Sequence, residues 1–172
     1  MPETGNNYAT NSIYDLNAGW QDDNGQDFHL SELSGRPVVI SMFFATCAGV
    51  CIITKDDMKT VEASLPAEVR DQTVFVLVTL DPARDSAADL KDYRSAEGLA
   101  RARWRLLRGS PADTARLATA LGIGYGRDHS GLFRHSSQVA VLNAAGKIVL
   151  RQDGIHADLA KTVAAIVALN PR

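Results

Sequence analysis

Two cysteines, Cys47 and Cys51, are the only ones in this chain of 172 residues. A pair of thiols so spaced can be reduced and hold a metal ion, or be oxidised and closed as a disulfide. The choice depends on where the fold places them. Val38 to Phe44 is an apolar run without alternation, which suits a strand covered on both faces in the middle of a sheet. After the cysteines, Val50, Thr54, Met58, Val61 and Leu65 recur at helix spacing. The cysteines therefore sit where a central strand passes into the start of a helix. A helix N-terminus carries partial positive charge and unpaired N–H donors, and both favour thiolate over thiol. Were the first turn already helical, the two Cα atoms would stand about 6 Å apart, within range of a disulfide or a shared metal ion.

The rest of the chain must position that segment. A length of 172 residues suits one domain, and the formal charge of -2 gives no strong attraction to nucleic acid. No signal peptide is evident, and no apolar run approaches the ~20 residues of a membrane span. Residues 1–11 are polar and read as a disordered lead-in, with a single domain over 12–172. Ser12 to Leu16 and Asp27 to Leu30 are expected to pair as a hairpin around Asp22-Asp23-Asn24-Gly25. Thr73 to Leu80 reads as a second buried strand, followed by Asp81-Pro82-Ala83-Arg84-Asp85. Ser86 with Asp89 then starts a helix that ends at Gly98. Trp104 to Leu107 is a short strand. Ser110, Pro111 and Gly122 bound another helix, and Gly122 to Gly131 reads as a loop. Ser136 to Leu142 and Ile148 to Arg151 form a late hairpin, and Asp158 to Leu169 a last helix. That order gives an α/β fold, a mixed sheet with helices on its faces. Parallel strands end at one edge, so Cys47 and Asp81 should lie on the same side of the molecule.

The strand leading into C-x-x-x-C (Cys47 to Cys51), the D-P-x-R-D that follows the next strand (Asp81 to Asp85) and a histidine opening the late hairpin together resemble the SCO/SenC proteins. These are thioredoxin-like copper-binding proteins that assist assembly of the dinuclear copper site of cytochrome c oxidase. The resemblance covers about residues 12–169 and implies a thioredoxin-like fold with an N-terminal β-hairpin extension. It also implies copper, Cu(I) or Cu(II), held by Cys47, Cys51 and a histidine. Asp128-His129-Ser130 copies the family's tripeptide, but His135 has the spacing to the turn glycine, Gly146, and leads directly into the hairpin strand. His135 is therefore taken as the third ligand. Two thiolates and an imidazole are a soft set suited to Cu(I) and able to hold Cu(II). Asp81 could steady the ligands from behind.

Two departures stand out. Ala48 replaces the proline usual after the first cysteine, which leaves this loop less rigid. Arg134 replaces an acidic residue and would favour the neutral, metal-binding imidazole. The resemblance further implies the oxidase copper-site subunit as partner, and another copper chaperone or a thioredoxin-like reductant as a further one. It implies a domain on the periplasmic side of the inner membrane, anchored there in the full-length protein. The alternative is a thiol–disulfide oxidoreductase that keeps the oxidase's copper-site cysteines reduced, with Cys47 attacking and Cys51 resolving. Asp85 reads as a helix cap, His29 and His156 as surface residues, and Arg101, Arg103, Arg105 and Arg108 as a solvated strand face.

Overall fold

The computed structural model describes residues 11–46, 50–130, 133–136, 138–153 and 158–170; for residues 50, 51 and 133–135 it describes only the backbone. The expected lead-in, residues 1–10, lies outside this set. At the centre are β3 (Val38–Phe43) and β4 (Val74–Thr79), buried along their whole length. They pair in parallel, from Val38 opposite Val74 to Phe43 opposite Thr79. β5 (Trp104–Gly109) continues the parallel set beside β4. β1 (Trp20–Asp22) and β2 (Asp27–Phe28) add antiparallel strands outside β5. β8 (Gln138–Leu142) and β9 (Ile148–Asp153) do the same beside β3. The seven-stranded order is β2-β1-β5-β4-β3-β8-β9.

Alternate residues of the central strands feed two cores, because successive side chains on a strand point to opposite faces. Val38, Ile40, Met42, Val76 and Val78 meet Leu117 and Leu121 of α4 (Pro111–Leu121). Val39, Phe43, Phe75 and Leu77 meet Met58 and Val61 of α1 (Val50–Ser64), Leu90 of α3 (Ala87–Glu97) and Ile166 of α5 (Leu159–Ala168). Phe75 stacks on Trp104 at 5.0 Å. Each such side chain contributes about 1.5–3 kcal/mol by leaving water. The helices start and stop at their expected caps. Ser86 accepts from the Asp89 N–H, Ser110 from the Asp113 N–H, and Gly98 and Gly122 take left-handed conformations at the two C-termini.

Three expectations are corrected, and one further element appears. The N-terminal hairpin forms from β1 and β2 and belongs to the main sheet. Ser12 to Leu16 instead makes a 3-10 turn, Ile13–Asp15, because the Ser12 hydroxyl accepts from the Tyr14 N–H and Ile13 is buried. A six-residue helix, α2 (Ala67–Gln72), follows Pro66. The span read as a loop after Gly122 contains β6 (Tyr125–Arg127), paired with β7 (Phe133–His135) in a separate two-stranded ribbon. His135 therefore ends that ribbon, and the late hairpin strand starts only at Gln138.

Candidate metal centre

β3 and β4 end side by side, and the Leu80 N–H donates to the Phe43 carbonyl at 2.7 Å, one step beyond the ladder. Both chains then leave the sheet at the same edge. One leads through Ala45 and Thr46 to Cys47, which lies outside the described residues together with Ala48. α1 begins at Val50, so the backbone of Cys51 is in its first turn, at the positive end of the helix. The other chain enters Asp81-Pro82-Ala83-Arg84-Asp85.

Asp85 is not a helix cap; Ser86 fills that role for α3. The Asp85 side chain turns inward, and the residue is 2% exposed. Its Oδ2 accepts from the Ala45 N–H at 2.8 Å and from the Thr79 hydroxyl at 2.7 Å. The Thr79 hydroxyl in turn accepts from the Asp81 N–H at 3.0 Å, and the Asp85 N–H donates to the Asp81 carbonyl at 2.9 Å. Arg108 of β5 braces the loop from behind, donating to the carbonyls of Asp85 (2.9 Å) and Pro82 (2.8 Å).

Asp81 lies at the front of this loop with its side chain 12% exposed, 3.8 Å from Arg84 and 3.8 Å from Arg127. Arg127 is the last residue of β6. Across the ribbon Tyr125 faces His135, and the Ser136 N–H donates to the Gly124 carbonyl at 2.8 Å at its base. The D-P-x-R-D loop thus touches the chain leading to the cysteines through Asp85, and the ribbon that carries His135 through Asp81. His129 sits in the turn at the far end of the ribbon, exposed. Its neighbours serve that turn: Asp128 accepts from the Ser130 N–H at 2.9 Å.

Among the described residues, no three or more of His, Cys, Asp and Glu are gathered as for a metal ion. Cys47 is outside that set, and Cys51 and His135 are described by backbone alone. His29 is exposed as expected, and His156 lies outside the described residues. The arginines of β5 and the preceding turn are only partly solvated, and each also holds a partner. Arg101 pairs with Asp23 at 3.1 Å, Arg103 with Glu62 and Asp71 at 3.6 Å, and Arg105 donates to the Arg101 carbonyl at 2.5 Å. A cavity of about 620 Å³ is lined by Pro82, Ala83, Trp20, His29 and Arg108 among others. Among the described residues no helix is long and apolar enough to cross a membrane.

The sequence marks Asp81, but it does not display the inward role of Asp85, the bracing by Arg108, or the parts of Thr79 and Arg127. Thr79 was the one visible hint, a hydroxyl at the end of an otherwise apolar strand. The model of the protein family described as SCO1/SenC matches residues 9–169. The chain belongs to the SCO1/SenC family. Among solved structures, this SCO1/SenC chain is similar to a SCO1/SenC family lipoprotein from Bacillus anthracis. The identity is 20%, with 88% of this chain and 91% of that one covered and a TM-score of 0.78. It is also similar to Bradyrhizobium japonicum ScoI with copper bound, at 20% identity over 89% and 97% of the two chains, TM-score 0.73. Likeness at that identity establishes the thioredoxin-like fold. A Stutzerimonas stutzeri protein named "Putative copper-binding protein" is 38% identical over 104 residues, 60% of this chain. The SCO1/SenC chain spans about half the length of that curated relative.

Proposed function

We propose that this protein is a copper metallochaperone. It receives copper, holds it through Cys47, Cys51 and His135, and passes it to the dinuclear copper site of cytochrome c oxidase during assembly. The observation that carries the reading is the single loop, Asp81 to Asp85, that contacts both the approach to the cysteines and the ribbon bearing His135. The segments leading to the cysteines and to His135 thereby meet one loop at the sheet edge where ligands of open α/β sheets bind, which supports the reading. The donor set fits the cargo. Two thiolates and an imidazole are soft enough for Cu(I) and can hold Cu(II), and three ligands leave a position through which a recipient's thiol can enter. Transfer then goes by ligand exchange in a docked complex, with Asp81 steadying the ribbon. Ile52 and Tyr125, 42% and 36% exposed, supply apolar surface beside Cys51 and opposite His135 for the oxidase subunit. The copper-bound and copper-binding relatives support the cargo. The lipoprotein relative supports a membrane-anchored protein, and the proposal places its domain on the periplasmic side.

Titration of the reduced protein with copper, alongside His135→Ala, tests this. The variant is expected to lose at least tenfold in affinity and to change its Cu(II)–thiolate absorption. Full affinity with an unchanged spectrum would sink the three-ligand reading. The second reading, a thiol–disulfide oxidoreductase acting on the oxidase's cysteines, is favoured by the start of α1 at Val50, inside the C-x-x-x-C segment, because a helix N-terminus stabilises a thiolate beside it. Rapid reduction of a partner disulfide by metal-free protein would support it.

A further inference from the structure

The structure assigns Asp85 as a positioning residue that fixes the chain entering the C-x-x-x-C segment, and so sets the chemistry of the two thiols. The inference rests on the proposed function for its metal readout but not for its thiol readout. β3 ends at Phe43, and beyond it the Ala45 N–H has left the ladder. A partly buried N–H that has left the ladder still needs a partner. The partner here is a carboxylate forty positions away, whose burial is possible because Thr79 donates to the same oxygen and Arg108 braces the loop's carbonyls. Hydrogen bonds to an ionisable acceptor are shorter and stronger than neutral ones. The described chain before Cys47 is therefore held from inside the protein at a point two residues upstream of the first thiol. The two aspartates of D-P-x-R-D divide the work. Asp85 holds the cysteine side, and Asp81, through Arg127, contacts the histidine ribbon.

Two thiols react as a unit only if their spacing is fixed, since a disulfide has strict geometry and its formation depends on the effective concentration of one thiol at the other. Loosening the approach should weaken ring closure and change metal geometry together. The test equilibrates the metal-free protein with glutathione. The protein dithiol plus one glutathione disulfide gives the protein disulfide plus two glutathiones, a balanced two-electron exchange. Asp85→Asn, which keeps shape but weakens the acceptor, is expected to lower that equilibrium constant at least fivefold. Thr79→Val should lower it less, and Thr79→Ser should restore the wild-type value. Asp23→Asn breaks a buried ion pair in the β1–β2 turn, and should lower Tm while leaving the constant within twofold of wild type. Copper spectra of Asp85→Asn should show an altered thiolate band. If Asp85→Asn and Thr79→Val lower Tm but leave both constant and spectrum within twofold of wild type, Asp85 is only structural and the assignment falls. If wild-type protein fails to bind copper while the glutathione constants still separate the variants, the metallochaperone reading falls and the assignment of Asp85 stands.

Discussion

Asp23 occupies a turn between two strands, yet it is 3% exposed. Arg94 donates to both of its oxygens, at 2.7 and 3.1 Å, and Arg101 approaches to 3.1 Å. Burial works to raise its carboxyl. The hydrogen bond and charge of Arg94, helped by Arg101, outweigh this and hold it below the ordinary value of 3.8. A lowered pKa in the folded state means stability that is present above the unfolded value and lost as pH falls through the folded one. Asp23→Asn is accordingly expected to cost about 3–5 kcal/mol at neutral pH, because it strands a buried guanidinium. The difference from wild type should shrink as pH drops below about 4. Urea unfolding at pH 7 and pH 3 checks both statements; a gap that widens in acid would refute the sign. At this scale the sequence displays residue types but not partners. Cys47 and Cys51 stand out because they are the only cysteines. The role of Asp85 was hidden because Ser86, directly after it, supplies the helix-start signal, and because its partner Ala45 lies forty positions upstream.

Element boundaries were legible wherever a backbone requirement forced a residue type. Gly122 ends α4 at φ 73, and a Cβ there would run into the Arg151 guanidinium. That guanidinium is the far end of a flexible side chain and can swing aside, so the dihedral decides the cost. Gly122→Ala should lose about 1 kcal/mol. Gly109 differs. Its Cβ would press on the Trp20 ring at 2.7 Å, and Trp20 is 3% exposed, locked in the core. Gly109→Ala should lose about 1–3 kcal/mol by overpacking, although its φ is unexceptional. Thermal melts of the two variants would rank them; a larger loss at Gly122 would overturn the argument. The elements that escaped the sequence are those without such signals. α2 is six residues long, and β6 is exposed at every position, so neither burial nor periodicity marks it.

At the scale of the whole molecule, the described residues form one continuous sheet and one ribbon outside it. The mixed sheet was readable because two long apolar runs can only be strands covered on both faces. The ribbon was not, because β6 offers no buried face to mark it. The two parts should differ in opening free energy. Amides of Val76 and Val78, fully buried in β4, are expected to exchange with solvent only on global unfolding. Those of Tyr125 to Arg127 should exchange at least a hundredfold faster, which hydrogen exchange followed by mass spectrometry would resolve. Equal protection would mean that the ribbon is locked to the sheet.

The carboxylate that tethers Ala45 is rooted in the interior, against the last residue of β4. On the proposed function, copper retention is consequently hostage to hydrophobic packing. A truncation deep in β4 that leaves every donor atom intact should still degrade copper retention, so a loss-of-function substitution need not lie anywhere near the metal.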